Sequence, residues 1–454
     1  MGIASINPTT GEKLTEFTPH SDVEIEKALR QADAAFKKYR GQPFTKRAQL
    51  MVSAARLLDR EKPELARTMT LEMGKLLRDS VAEIEKCALG CHYYAKNAER
   101  FLENEVAQTS ARRSYVRYEP MGPILAIMPW NFPFWQVFRF AGPALMAGNV
   151  GILKHAANVP QCALAIEQLF CRAGFEDGIF QTLLIEVGQV EKLIVDPRIR
   201  AVTLTGSEKA GSIVGSAAAR EIKKSVLELG GNDAFIVMPS ADFGLAVSTA
   251  VKARIINTGQ SCIAAKRFFI ADKIYDDFLN KFVEQMRSLK VGEPMDETTE
   301  IGPLATEQIL NGVHEQVQKT IAMGAKCLTG GNRIAGPGFF YEPTVLVDVP
   351  KDSPAFREEV FGPVAAVLRV RGSEEAIELA NDSRYGLAAS AWTNDRIEQE
   401  LFASELESGM VFINAMSASD PRLPFGGVKR SGFGRELGAA GIREFMNAKT
   451  IWIA

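Results

Sequence analysis

From Tyr115 onward, short apolar runs bounded by Gly and Pro alternate with amphipathic helical stretches. This alternation constrains the fold more than any other feature of the chain. Consecutive parallel strands need long crossovers, and helices in those crossovers must bury their apolar faces on the sheet. The first set of runs reads GPILAIMPW, GNVGILKHA and FQTLLIEV, with a helix expected over 161–172 and a further strand over 200–205. After Gly231 the pattern starts again with DAFIVM, KRFFIAD, EPTVLVDV, AAVLRV, LAASAWT and GMVFIN. Two successive α/β units fit 454 residues better than one very large sheet, and residues 228–231 are the natural boundary. Ahead of both units, apolar spacing predicts helices over 24–39 and 46–61 and a longer helical stretch ending near Leu102.

Charge and cysteine usage remove several function classes. With 53 Lys plus Arg against 55 Asp plus Glu, the net charge is −2, too balanced to bind a nucleic acid or an anionic membrane surface. Six cysteines, at 87, 91, 162, 171, 262 and 327, are too sparse for a disulfide framework, and a cytoplasmic location is expected. The first residues carry no basic segment followed by an apolar run, so no secretory signal is visible. The apolar stretch 122–153 is broken by Pro123, Pro129, Pro133 and Pro143 and holds Arg139, which favours buried core over a membrane span. The four histidines are scattered. Cys87, Cys91 and His92 form the only metal-like group, but the i,i+4 cysteines equally describe a core stripe, so no metal is expected.

Four segments could carry chemistry. Gly206 to Gly211 (GSEKAG) follows a strand and opens a helix, whose free N–H groups suit a phosphate. Ser212 and Ile213 stand where a P-loop needs Lys and Ser or Thr, which rules out an ATP-hydrolysing loop. Taken alone, the segment fits an ordinary strand–helix turn equally well. Cys262 ends the polar turn NTGQSC, where a thiol can be exposed and activated or can simply be a small buried hydrophobe. Glu228, in LELGG, sits in apolar company that raises a carboxyl pKa and suits a general base, although a salt-bridged strand end explains it locally. Asn131, in PWNFP, is a lone amide in the most apolar part of the chain and could donate to an oxyanion.

Together these segments resemble the NAD(P)-dependent aldehyde dehydrogenase superfamily over essentially the whole chain. In order, the matching motifs are PWNFP (129–133), ILKHA (152–156), LTGSEKAG (204–211), LELGGND (227–233), NTGQSC (257–262), EEVFGP (358–363) and PFGGVKRSGFGRE (424–436). The resemblance implies an α/β protein with three parts. A Rossmann-like cofactor domain would comprise 1–102 and 121–230, a second α/β catalytic domain 231–435, and a small β oligomerisation arm 103–120 and 436–454. The assembly implied is a homodimer or homotetramer. Cys262 would attack the aldehyde to give a thiohemiacetal, Asn131 and the Cys262 backbone N–H would hold the oxyanion, and Glu228 would activate the water that cleaves the thioester. Trp130, Lys154, Ala157, Gly206, Ser207, Gly211, Leu229, Glu359 and Phe361 would bind the cofactor, with Glu359 on the nicotinamide ribose.

Members selective for NAD usually carry Glu three residues after the Lys of the ILKHA motif, and this chain has Ala157 there. Without that carboxylate a 2′-phosphate is not repelled and Lys154 can pair with it, so NADP is the expected cofactor and NAD the poorer one. Within the superfamily the chain is most similar to succinate-semialdehyde dehydrogenases, which have an Arg matching Arg139. The expected substrate is therefore a small aldehyde with a distal carboxylate. Many of those enzymes have a second Arg where this chain has Ile256, and some have a further cysteine where it has Ala264. The carboxylate is thus expected on Arg139 with a hydroxyl such as Ser419, the alternative for Arg139 being a permanent acidic partner. A medium-chain or aromatic aldehyde dehydrogenase is the second reading. A CoA-acylating enzyme fits less well because Glu228 is present, and a non-catalytic protein less well because Cys262, Glu228 and Asn131 are all intact.

Overall fold

The computed structural model describes residues 2–454. Three helices, Asp22–Tyr39, Phe44–Met73 and Leu77–Phe101, open the chain after a hairpin of Ile3–Ile6 with Lys13–Phe17. The first helix starts at a capping box, in which the Ser21 hydroxyl accepts from the Glu24 N–H and Glu24 accepts from the Ser21 N–H. Cys87 and Cys91 are completely buried on the third helix, within the core.

The first large sheet has the order Gly432–Phe433, Lys224–Glu228, Ala201–Thr205, Pro123–Met128, Val150–His155, Phe180–Thr182. All neighbours are parallel except the short edge strand Gly432–Phe433. The five parallel strands thus run outward in both directions from Pro123–Met128, the doubly wound arrangement. Its switch point lies between the carboxyl ends of Pro123–Met128 and Ala201–Thr205, where ligands of such sheets bind. PWNFP and GSEKAG both lie there.

The stretch 122–153 folds as strand, helix and strand, and no helix of the described residues is long and apolar enough to cross a membrane. Its helix, Trp135–Met146, is buried at every residue and has no side-chain cap of the ordinary kind. Glu83 takes over that task from the neighbouring helix. Its Oε1 accepts from the Phe134 and Trp135 N–H groups at 2.9 Å each, and its other oxygen is ion-paired with buried Lys75. A carboxylate at a helix N-terminus satisfies orphan donors and opposes the dipole.

The second sheet has seven strands in the order Lys326–Thr329, Thr344–Val347, Val364–Val370, Arg267–Ala271, Ala234–Val237, Ala388–Trp392, Met410–Ile413. Only the edge strand Lys326–Thr329 is antiparallel. All six apolar runs expected after Gly231 are strands here. The chain then returns to the first unit: Gly432–Phe433 pairs with Lys224–Glu228, and Phe425, Leu437, Ile442 and Phe445 pack in its core. The expected boundary at 435 falls inside this return. A separate three-stranded antiparallel sheet joins Met446–Ile453, Arg113–Pro120 and Glu105–Val106. Its edge strand exposes Trp452, which is 55% accessible.

Candidate active site

Cys262 is set by an unusual turn. After the helix Phe243–Ile255, Asn257 and Thr258 both adopt left-handed backbone angles, with φ of 52° and 57°. Such conformations cost of order 1–3 kcal/mol each for non-glycine residues and persist only where the surroundings hold them. The restraints are visible. Asn257 Nδ2 donates to the backbone oxygens of Asn131 (2.8 Å) and Gln260 (3.1 Å), and Arg254 Nη2 donates to Gly259 O at 2.9 Å. Lys266, fully buried, donates from Nζ to the carbonyls of Ser261 (3.0 Å), Cys262 (2.8 Å) and Ala264 (3.0 Å). The loop carrying the thiol is thereby wrapped around one ammonium group.

Burial pushes the Cys262 thiol up to about 12, while Arg139 and Lys266 pull in the opposite direction. Asn131 is buried beside it. One N–H of its carboxamide donates to Gln260 O at 3.1 Å, and among the described residues the other has no acceptor. The Cys262 backbone N–H likewise donates to no protein atom among the described residues.

Glu228, at the end of its strand, is 2% exposed, and neither of its oxygens accepts a hydrogen bond from the protein. Burial raises its pKa well above the usual carboxylate range, and the neighbouring Glu436 carboxylate raises it further. Room for the group comes from Gly426, whose φ is +153° and where a Cβ would approach Glu228 Oε1 to 2.6 Å. Glu436 is ion-paired with Arg139, whose guanidinium lies 4.3 Å from the Phe425 ring centroid. Arg139 therefore has the permanent acidic partner that was its alternative reading. Its charge is met inside the protein, which corrects the expectation of an Arg held open for a ligand.

Several of the residues expected to hold a dinucleotide follow the carboxyl ends of strands in the first sheet. Ser207 caps the helix Glu208–Arg220 by accepting from the Ala210 N–H at 3.2 Å. Gly211, in the first turn, lies against Leu229 so closely that a Cβ would reach its Cδ1 at 2.5 Å. Gly206 N donates to Glu228 O at 3.0 Å, tying this turn to the strand that ends in Glu228. Lys154 is buried at the end of Val150–His155, has no ion-pair or hydrogen-bond partner among the described residues, and is lowered in pKa by that burial. Ala157 is exposed and brings no carboxylate near it. Trp130 and Phe361 meet edge to face, with centroids 5.7 Å apart. Glu359 accepts from the Gly231 N–H at 3.0 Å and lies 3.6 Å from Lys266 Nζ.

A cavity of about 430 Å³ ends at Cys262. Its wall is largely apolar, including Phe132, Trp135, Ile263, Met416 and Phe425, and Arg139 and Ser419 also line it. A largely apolar cleft with a few convergent polar groups is the ordinary form of a small-molecule site. The aldehyde dehydrogenase family profile matches residues 1–451. The chain belongs to the aldehyde dehydrogenase family. It is 55% identical over 457 aligned residues, covering all of both chains, to "Succinate-semialdehyde dehydrogenase [NADP(+)] 1" of Mycobacterium tuberculosis (strain ATCC 25618 / H37Rv). It is 54% identical, again over the full length of both, to a probable succinate-semialdehyde dehydrogenase [NADP(+)] of Synechocystis sp.. Among solved structures, the Streptococcus pyogenes succinic semialdehyde dehydrogenase in complex with NADP+ superposes with a TM-score of 0.97 at 37% identity, covering 99% of each chain.

As an aldehyde dehydrogenase, the protein is an oxidoreductase acting on an aldehyde. Two side chains of its site escape sequence reasoning. Lys266 stands in KRFFIAD, where it reads as the start of a strand, and nothing local shows that its ammonium folds back under Cys262. Lys86 lies on the third helix, far in sequence from every motif, yet its Nζ donates to Ser419 Oγ at 2.7 Å. Glu436 stands at the end of a recognised motif, and only the fold reveals Arg139 as its partner.

Proposed function

We propose that the protein oxidises succinic semialdehyde to succinate with NADP as hydride acceptor and NAD as the poorer one. The observation that carries this reading is a cavity with cationic side chains reaching the half-buried Cys262 thiol, together with an unpaired Lys154 that has no carboxylate at position 157. The names of its full-length relatives support the same choice. Lys154 fits a 2′-phosphate on physical grounds: a buried ammonium without a counter-charge gains most from an anionic ligand. Gly206, Ser207, Gly211 and Leu229 would frame the pyrophosphate and adenosine end, and Trp130, Glu359 and Phe361 the nicotinamide end. When bound, the dinucleotide supplies the hydride acceptor that turns a thiohemiacetal into a thioester.

The protein's own groups perform the rest. Arg139 and Lys266 favour the Cys262 thiolate, whose sulfur bonds to the carbonyl carbon as the π electrons move to oxygen. The free N–H of Asn131 and the Cys262 backbone N–H are the donors for that oxygen. After oxidation, Glu228 takes a proton from water as the water oxygen attacks the thioester, and the C–S bond breaks to return the thiolate. We assign residues 1–102 and 121–230 to cofactor binding and 231–435 to catalysis, with the chain from Phe425 also packed on the first unit. The three-stranded sheet formed from parts of 103–120 and 436–454 serves as an arm between subunits.

The test is reduced-cofactor absorbance with succinic semialdehyde, butanal and benzaldehyde, each with NADP and with NAD. Succinic semialdehyde with NADP is expected to give the highest kcat/KM. The apolar wall of Phe132, Trp135 and Phe425 favours an uncharged aldehyde as the second reading, and equal kcat/KM for butanal or benzaldehyde would establish it. A higher kcat/KM with NAD would overturn the cofactor assignment. Introducing the missing carboxylate tests that assignment from the other side. Ala157→Glu is expected to lower kcat/KM with NADP by about 100-fold, because a 2′-phosphate is then repelled, and to raise it with NAD.

A further inference from the structure

We propose that Lys86, acting with the Ser419 hydroxyl, is the anchor for the distal carboxylate of the substrate and so sets the preference for ω-carboxylated aldehydes. This rests on the function proposed above and assigns within it a residue outside every motif of the chain.

Five cations line the cavity, and four are unsuitable. Lys75 is ion-paired with Glu83, and Arg139 with Glu436, both pairs buried. Arg78 and Lys252 are exposed. Lys86 alone is half-buried yet without an ion-pair partner among the described residues. Its stem lies along Trp135, with Nζ 4.8 Å from the ring centroid, a contact that positions the ammonium without neutralising it.

The hydrogen bonds around Ser419 point the same way. Lys86 Nζ donates to Ser419 Oγ at 2.7 Å, and Trp135 Nε1 donates to the same oxygen at 3.1 Å. A hydroxyl oxygen has two lone pairs, and both are taken. The Ser419 hydrogen is therefore free to donate, and among the described residues it has no acceptor. Two N–H bonds of Lys86 are free as well. Two donors meeting at one corner of the cavity match the two oxygens of a carboxylate.

The electrostatics of the corner leave room for an anion. The charged and titratable groups facing Lys86 are Glu83 and Cys87 on its own helix, Arg139 on Trp135–Met146, and Asp420 on the following loop. Glu83 is committed to Lys75 and two backbone N–H groups, and Asp420 to Arg422. Burial, seconded by Arg139, lowers the Lys86 pKa to about 8, so the group is charged at neutral pH and loses its proton above it. A bound carboxylate favours the charged form, so affinity for such a substrate falls as pH rises through that value.

The experiment compares KM and kcat for succinic semialdehyde and butanal in the wild type, Lys86→Met and Lys86→Arg. For Lys86→Met, KM for succinic semialdehyde is expected to rise about 100-fold with kcat within a few-fold, and the butanal constants to stay unchanged. Lys86→Arg is expected to recover most of the loss. In the wild type, KM for succinic semialdehyde should rise above about pH 8 while KM for butanal does not, a measurement that needs no variant to fold. If the wild type prefers succinic semialdehyde and Lys86→Met preserves that preference, the anchor is elsewhere. The same conclusion follows if KM for both aldehydes shifts together, either with pH in the wild type or on substitution. If the wild type shows no preference for the carboxylated aldehyde, the substrate reading fails first and the anchor with it.

Discussion

Glu228→Gln is expected to produce one rapid burst of reduced cofactor per active site and then almost stop. Gln keeps the shape of Glu but cannot take a proton from water, so the thioester on Cys262 forms and accumulates. A positioned general base contributes about 10²–10⁴ in rate, and the steady-state kcat is expected to fall within that range. The burst is the discriminating part of the result. If Glu228 were only a structural strand end, its replacement would lower the burst and the steady rate together.

Two further readouts follow from the burial of Glu228 beside Glu436. Hydrolysis needs the ionised carboxylate, and its raised pKa places the rising limb of the wild-type kcat profile above the usual carboxylate range. Glu228→Gln should lose that limb. Stability moves in the opposite direction. A carboxyl whose folded pKa lies above its unfolded value of about 4.3 contributes most below that value, and the contribution disappears as pH rises through the folded pKa. Above the unfolded value the buried carboxyl therefore costs the native state stability, a cost that Gln removes. Glu228→Gln is expected to melt no lower than the wild type at pH 7, with its advantage shrinking as pH falls.

How much of this architecture the sequence discloses depends on the range over which each signal acts. Strand alternation is local: six successive runs after Gly231 become strands because period and punctuation report burial directly. The edge strand Lys326–Thr329 gives no such signal, since it is half exposed and lacks a continuous apolar run. The strand Lys224–Glu228 starts with an exposed Lys and is equally quiet. At the site, Cys262, Glu228 and Asn131 stand in short motifs whose composition already departs from ordinary core. Arg139 was legible as a charge that needs a partner, but not as one already satisfied, because Glu436 lies 297 positions away and meets it only through the return of the chain to the first sheet. Lys86 and Lys266 were invisible for a related reason. An ammonium on a long flexible stem shows its chemical role only through where its tip is placed: that of Lys86 meets a side chain remote in sequence, and that of Lys266 folds back onto nearby carbonyls.

Cys262→Ala is expected to abolish aldehyde oxidation, because Cys262 is the one cysteine that lines the cavity and a neighbouring hydroxyl such as Ser261 is a far weaker nucleophile than a thiolate. With the sulfur gone neither the thiohemiacetal nor the thioester can form, and even the burst that Glu228→Gln preserves should vanish. Dinucleotide binding, followed by quenching of tryptophan fluorescence, should persist, since Trp130, Lys154 and Glu359 are untouched. Chemical modification gives an independent measure. Of the six cysteines only Cys171 is exposed, so iodoacetamide should label it first with no loss of activity, and inactivation should follow the appearance of modified Cys262 in peptide mass spectra. The free thiol is pushed up to about 12, so that inactivation of the cofactor-free protein should accelerate nearly tenfold per pH unit across the alkaline range. Full turnover by the Cys262→Ala protein, or inactivation that tracks Cys171 instead, would remove the thiol from the reaction.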